Sequence, residues 1–239
     1  MKEYAKCVIT NYGAPFPIIA VEANDVFLTD IEGKRYLDFW AGVAVVNAGH
    51  NNPKVQEAVK KQMEKLVHCS SQSYYAVPPI ELAKKLTAIA PFKPCKTTFH
   101  TSGSEAVEVA LKMVRRYTKK HEILTLQGSY HGQTYGALSI STPVGTYSKS
   151  YVIGPYAPGA VHVPVPYCYR CSLGYEYPQC GIQCAKMIEN IINFGSSRDI
   201  AAYMAEPILG VGGIVPPPDK YFQEIKKVLD KYDILLVMD

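Results

Sequence analysis

From Thr97 onward the chain reads strand, helix, strand, helix, and this alternation constrains the fold more than any other feature. Thr97–His100, Ile123–Leu126, Val161–Val163, Ile200–Ala205 and Ile234–Asp239 are apolar and of strand length. Among them lie a helix over Glu105–Lys120, a turn and short helix over Gly132–Ile140, and helices over Cys184–Asn193 and Lys220–Tyr232. The first carries Ala106, Val109, Ala110, Met113, Val114 and Tyr117 on its apolar side, and Asp219 is placed to cap the last. Strands apolar along their whole length are covered on both faces, so the pattern predicts an α/β fold with a mainly parallel central sheet between helices. In such sheets ligands bind beyond the carboxyl ends of the strands.

Before Thr97 the pattern differs. Val26–Asp30 and Lys34–Asp38 flank Ile31-Glu32-Gly33, a hairpin signal with glycine in the loop. Asn51-Asn52-Pro53 supplies an N-cap and a first-turn proline. Val55, Ala58, Val59, Gln62, Met63 and Leu66 then recur at helical spacing, predicting an amphipathic helix over 53–67, with a second from about Pro79 to Ala90. The charge balance is mild, 25 Lys+Arg against 21 Asp+Glu, with no basic block of the kind a nucleic-acid arm carries. No apolar run reaches the roughly 18 residues of a membrane span, and the N-terminus lacks the apolar core of a signal peptide. The expectation is a cytoplasmic protein that binds neither nucleic acid nor membrane. The final run Ile234–Met238 reads as an inner strand, so the chain is expected to be cut short.

Three strand ends carry chemistry. Thr101-Ser102-Gly103-Ser104-Glu105 joins a strand to a long helix, with Ser102 and Glu105 spaced as a capping box. Gly103 permits close backbone approach, and the free N–H groups of the first turn suit a phosphate. Taken alone, the motif reads as a well-capped helix without a ligand. Glu206 follows an apolar strand, precedes Pro207, and leads into Gly210-Val211-Gly212-Gly213; alone it reads as a turn carboxylate. Asp239 ends the last strand, and alone it reads as a cap for whatever follows. Ser129-Tyr130-His131-Gly132 adds an aromatic candidate. Together, a phosphate site, a carboxylate at a strand end and an aromatic ring suit a phosphorylated aromatic cofactor.

At this point the residues resemble the class III family of pyridoxal-phosphate-dependent aminotransferases, over nearly the whole chain. Asp38–Val45 resembles the family's D-F-x-x-G-I-A-V segment, and Gly49-His50-Asn51-Asn52-Pro53 its G-H-x-H-P turn, with Asn52 in place of the second His. Ser102-Gly103-Ser104-Glu105-Ala106 with Glu108 resembles S-G-(S/T)-E-A-x-E. Tyr130-His131-Gly132 resembles (Y/F)-H-G, and Glu206-Pro207-Ile208 with Gly212-Gly213 resembles E-P-I-x-G-x-G-G. Leu235–Asp239 resembles the start of L-(L/I)-x-x-D-E-V-Q. The order and spacing of these segments carry the assignment.

The resemblance implies the fold of pyridoxal-phosphate type I enzymes, aspartate aminotransferase-like. Residues 1–50 would belong to a small α+β terminal domain and 51–239 to the large cofactor domain. It implies pyridoxal 5'-phosphate as cofactor, held by Ser102, Gly103, Ser104, Tyr130, His131, Glu206 and Asp239. Gly103 and Ser104 would hold the phosphate, and Tyr130 would stack on the pyridine ring. Glu206 would lie on the phenolic oxygen side, and Asp239 would pair with the pyridine nitrogen, keeping it protonated so that the ring draws electrons. His131 would line the pocket without acid–base work. The family's Schiff-base lysine lies downstream of the D-E-V-Q segment, so no catalytic residue is nominated, and residues 1–239 alone are expected to be inactive.

The implied reaction moves an amino group from an amino-acid or amine donor to a 2-oxo acid acceptor, in a homodimer. Racemase, decarboxylase or aminomutase chemistry on the same scaffold is the alternative, and an inactive cofactor- or metal-binding fragment is a second. Gln133 stands where members using 4-aminobutyrate carry Arg, and Val211 where many glutamate-using members carry Glu. Both argue against a 4-aminobutyrate or ornithine enzyme paired with 2-oxoglutarate and leave room for an alanine, pyruvate or glyoxylate partner, as in alanine–glyoxylate-type members.

Seven cysteines remain. Cys168, Cys171, Cys180 and Cys184 cluster in what reads as a surface insert, at spacings compatible with zinc or a disulfide. The second pair is spaced three apart rather than two, so no metal is expected. Cys7, Cys69 and Cys95 read as buried small apolar residues.

Overall fold

The computed structural model describes residues 16–142 and 154–239, together with Cys7. The remainder of 1–15, and 143–153, lie outside the described residues. Two compact units divide the chain, Met1–Thr98 and Phe99–Asp239.

In the first unit three antiparallel strands, β1 (Ala20–Asn24), β2 (Phe27–Asp30) and β3 (Arg35–Leu37), form a meander. The expected hairpin is β2–β3, with Phe27 opposite Leu37. Its turn is held by Asp30, whose carboxylate accepts the Glu32 and Lys34 N–H groups and the Tyr36 hydroxyl. Those bonds, the one from Tyr36 foremost, hold the Asp30 carboxyl below the usual carboxylate range. Helix α1 (Pro53–Met63) starts at Asn52, whose side chain caps Lys54 and Val55, and ends one turn earlier than its periodicity predicts. Helix α2 spans Val77–Ile89. Neither buries a residue: Val55, Val59 and Met63 on one face of α1, and Leu66 just beyond its end, are exposed.

The second unit contains a four-stranded parallel sheet in the order β5-β4-β6-β7: β4 (Glu122–Leu126), β5 (Ala160–Val163), β6 (Ile200–Ala205) and β7 (Leu235–Met238). Every residue of β6 is buried, as an inner strand covered on both faces requires. Two apolar clusters do the covering. In one, helices α5 (Gln183–Phe194) and α6 (Tyr221–Lys231) pack Ile188, Ile192, Ile225 and Leu229 against Leu124, Tyr203 and their neighbours. In the other, helices α3 (Gly103–Thr118) and α4 (Tyr135–Ser139) pack Val107, Leu111, Val114 and Ala137 against Ile123, Ala202 and Met204.

Four expectations are corrected. Thr97–His100 forms no strand, because none of its backbone groups joins a ladder and strand propensity needs a neighbouring strand to express itself. The sheet-facing stripe of α3 is Val107, Leu111 and Val114, whereas Met113 and Tyr117 of the expected apolar side are exposed. Helix α6 is capped not by Asp219 but by Lys220 in a left-handed conformation, with no side-chain bond. Cys7 is exposed and Cys69 and Cys95 are half-buried; the buried cysteine is Cys184, drawn from the expected surface cluster into the core by the first turn of α5.

Candidate functional site

The carboxyl ends of β4, β6 and β7 and the start of α3 bring together the segments singled out in the sequence. Ser102 caps α3 by accepting the Glu105 N–H at 3.2 Å. The reciprocal bond is displaced by one residue: Glu105 accepts the Thr101 N–H at 2.7 Å, a contact that holds its carboxyl below the usual range. With Ser102 spent on the cap, the Gly103 and Ser104 N–H groups meet no acceptor among the described residues. Nothing stands within 4 Å of the position a Gly103 Cβ would occupy. This is the open, N–H-lined first turn that anions favour.

The loop after β4 crosses this turn closely. The Gln133 N–H donates to the Ser104 hydroxyl at 3.1 Å. A Cβ on Gly132, at φ +131°, would fall 2.4 Å from that same oxygen. Only glycine fits there, which gives Gly132 of the Tyr130-His131-Gly132 motif a steric reason. Glu108, one turn along α3, accepts the Gly136 and Ala137 N–H groups at 2.8 and 3.2 Å. Burial raises its carboxyl, but the bonds from Thr134, Ala137 and Gly136 outweigh burial and hold it below the usual range.

His131 has a wholly buried side chain, with Nδ1 2.6 Å from Asp239 Oδ2. A nitrogen that close to a carboxylate carries the proton, so Nδ1–H is assigned as the donor. Nε2 lies 3.3 Å from the Thr125 hydroxyl, which donates to the Ile140 carbonyl at 2.8 Å. The His131 N–H donates to the Ser141 hydroxyl at 2.9 Å. The imidazole is therefore fixed at Nδ1 and at its backbone, with the Thr125 hydroxyl beside Nε2, and it holds one oxygen of Asp239. The Asp239 backbone is itself anchored, its N–H donating to the Ala205 carbonyl at 3.0 Å.

Glu206 reaches sideways. Its Oε1 accepts the Tyr130 N–H at 2.9 Å and its Oε2 the Gly210 N–H at 2.6 Å. Both oxygens are thus engaged by backbone, and the carboxylate braces two loops.

The structure thereby links all seven candidate residues: Ser102, Gly103 and Ser104 through Gln133 to the loop of Tyr130 and His131, His131 to Asp239, and Tyr130 to Glu206. Sequence reasoning missed Thr125, Ser141 and the clamp by Glu108. Thr125 left a signal, a hydroxyl inside the apolar run Ile123–Leu126. Cys168, Cys171, Cys180 and Cys184 line one void of about 20 Å³. Among the described residues no group of three or more His, Cys, Asp or Glu side chains is placed to hold a metal ion. No helix of the described residues is long and apolar enough to cross a membrane.

Comparison with known proteins gives concordant results. The family model described as "Aminotransferase class-III" matches residues 8–239. A leucine/methionine racemase of Thermococcus litoralis is 40% identical over 224 residues, 93% of this chain and 50% of the relative. An adenosylmethionine-8-amino-7-oxononanoate aminotransferase of Geobacter sulfurreducens is 32% identical, over 93% of this chain and 50% of its own length. A solved amine transaminase from an uncultivated Pseudomonas species, in a PLP-bound form, superposes with a TM-score of 0.87 at 30% identity, over 97% of this chain and 55% of that one. The chain spans about half the length of the relatives it matches.

Proposed function

Because the chain belongs to the class III aminotransferase family, we propose that the full protein transfers an amino group from an amino-acid or amine donor to a 2-oxo acid, using pyridoxal 5'-phosphate. The observation that carries this reading is Asp239, a carboxylate at the end of β7 locked by a buried histidine. When bound, pyridoxal phosphate draws electrons from the substrate carbon next to its amino group.

The chain's own residues fit that group. The open Gly103 and Ser104 N–H groups at the start of α3 would hold its phosphate. Asp239, with one oxygen on His131, would accept the pyridine N–H and keep that proton on the ring nitrogen. Ser141, which accepts the His131 backbone N–H, would keep that histidine and so the carboxylate from turning away. Tyr130, held from behind by Glu206, would cover one face of the ring and exclude water from it. Residues 1–50 are assigned to a small terminal domain and 51–239 to the cofactor domain. The complete protein is read as a homodimer of the cytoplasm.

Asp239→Ala in the full-length protein tests the assignment. Removing the carboxylate should lower turnover by about a hundred- to a thousandfold, as losing a charge-stabilising group does; turnover within tenfold of wild type would refute it. A second reading, racemisation, is favoured by the Thermococcus racemase, whose 40% identity exceeds the 32% of the Geobacter aminotransferase. Incubating one enantiomer of a neutral amino acid without any acceptor separates the two. Loss of optical activity with no keto product supports racemisation, and keto product formed in step with an aminated acceptor supports transfer.

A further inference from the structure

The loop that follows β6 is a closed unit. Leu209 and Val215 exchange both backbone hydrogen bonds at its base, at 3.1 and 3.0 Å. Gly213 and Ile214 both donate to the Gly210 carbonyl inside it. Leu209 is buried beneath it, and Val211 stands half exposed at its tip. The Gly210 N–H is satisfied not within this turn but by Glu206 Oε2. The other oxygen of the same carboxylate holds the Tyr130 N–H, 76 residues earlier in the chain. The two loops also touch backbone to backbone: a Cβ on Gly212 would lie 2.8 Å from the Gly128 carbonyl oxygen. Glu206 itself cannot drift, because the carbonyl of its neighbour Ala205 takes the Asp239 N–H at 3.0 Å.

We propose that Glu206 is a positioning residue that ties the Gly210–Gly213 loop to the Tyr130 loop, so that the two move as one body over the strand ends. This rests on the reading of Tyr130 as the residue that covers the cofactor ring. A rigid carboxylate with one backbone N–H on each oxygen transmits displacement between loops that share no covalent link. Any shift of the loop carrying Val211 then reaches the ring through Tyr130. The role needs both oxygens: a carboxamide keeps one acceptor and turns an N–H₂ donor toward the other amide.

Residue-resolved hydrogen exchange on the full-length protein tests this, with the visible circular dichroism of added pyridoxal phosphate as a second readout. Glu206→Ala should speed exchange at both Tyr130 and Gly210 by about tenfold or more, the equivalent of one hydrogen bond to a charged acceptor each. Glu206→Gln should speed one of the two and spare the other. Unchanged exchange at Tyr130 in Glu206→Ala would overturn the proposal. Should that variant not accumulate as folded protein, Glu206→Gln decides alone, and equal behaviour of both amides to wild type overturns the tether. The circular dichroism should change in Glu206→Ala. Faster exchange at both amides with an unchanged dichroism supports the tether and instead refutes Tyr130 as the ring-covering residue.

Discussion

Gly132→Ala should be among the most disruptive one-methyl changes in the second unit. The added Cβ would stand 2.4 Å from Ser104 Oγ, 2.9 Å from Ser104 Cα and 3.0 Å from Ser104 Cβ. Ser104 lies in the first turn of α3, so neither chain yields easily. The backbone cost comes first: φ +131° is a region L-residues rarely adopt, at about 1–3 kcal/mol. Overpacking adds about 1–3 kcal/mol. The sum, about 2–6 kcal/mol, is a large part of the roughly 5–15 kcal/mol that holds a domain folded. Urea unfolding followed by far-UV circular dichroism measures it, since the lone tryptophan, Trp40, lies in the other unit. The double variant Gly132→Ala/Ser104→Gly isolates the mechanism. It removes the Oγ and Cβ contacts but leaves Cα at 2.9 Å and the φ cost. Part of the overpacking cost, about 0.5–3 kcal/mol, should therefore return as a coupling energy. A Gly132→Ala variant within about 0.5 kcal/mol of wild type, or a strictly additive double variant, would refute the steric reading.

Other expectations follow from single contacts. The Tyr203 and Tyr221 hydroxyls meet 3.0 Å apart in the core; Tyr221→Phe should cost about 1–3 kcal/mol by stranding its partner, while the double Phe variant costs less, and a denaturation cycle reads the difference. Glu108→Ala leaves the Gly136 and Ala137 N–H groups without their acceptor and should cost about 1–3 kcal/mol. Because the folded Glu108 carboxyl is depressed, its contribution is present above the ordinary carboxylate range and is lost as pH falls through the folded value. Glu108→Gln should flatten the stability profile in that acid window, which melts between pH 3 and 6, chosen to span roughly that range, would show. Burial pushes the Cys184 thiol up to about 11, so about one molecule in a thousand carries the thiolate at pH 8. Timed alkylation with peptide mapping should find Cys184 modified last of the four clustered cysteines.

Much of the site was legible in the sequence because its parts are local. A capping residue, a glycine and a serine at a strand–helix junction announce an open helix terminus wherever they occur, and the structure gives Ser102 its cap and leaves Gly103 and Ser104 open. An acid closing an apolar strand announces a carboxylate at the sheet edge, and Asp239 takes that place. The pairing of these parts was not local. His131 finds Asp239 108 residues away, and Glu206 finds Tyr130 76 residues away. No spacing rule connects such partners, since sheet order rather than chain order makes them neighbours.

By itself, then, the sequence determined the alternation of strands and helices, the parallel sheet with its buried inner strands β4 and β6, and the chemical character of each strand end, because hydrophobic period, turn residues and caps act within a few residues of one another. Only the tertiary structure decided which stripe of α3 meets the sheet. Val107 and Leu111 join the expected Val114 and Ala110 there, while the expected Met113 and Tyr117 stay exposed; all share the helical period, and the choice belongs to the strands they pack against. It also decided that Thr97–His100 stays outside the sheet, that Cys184 belongs to the core, and that Glu206 braces loops. Burial and hydrogen-bond satisfaction are properties of the assembled chain, and a residue's neighbours exist only once the chain has folded.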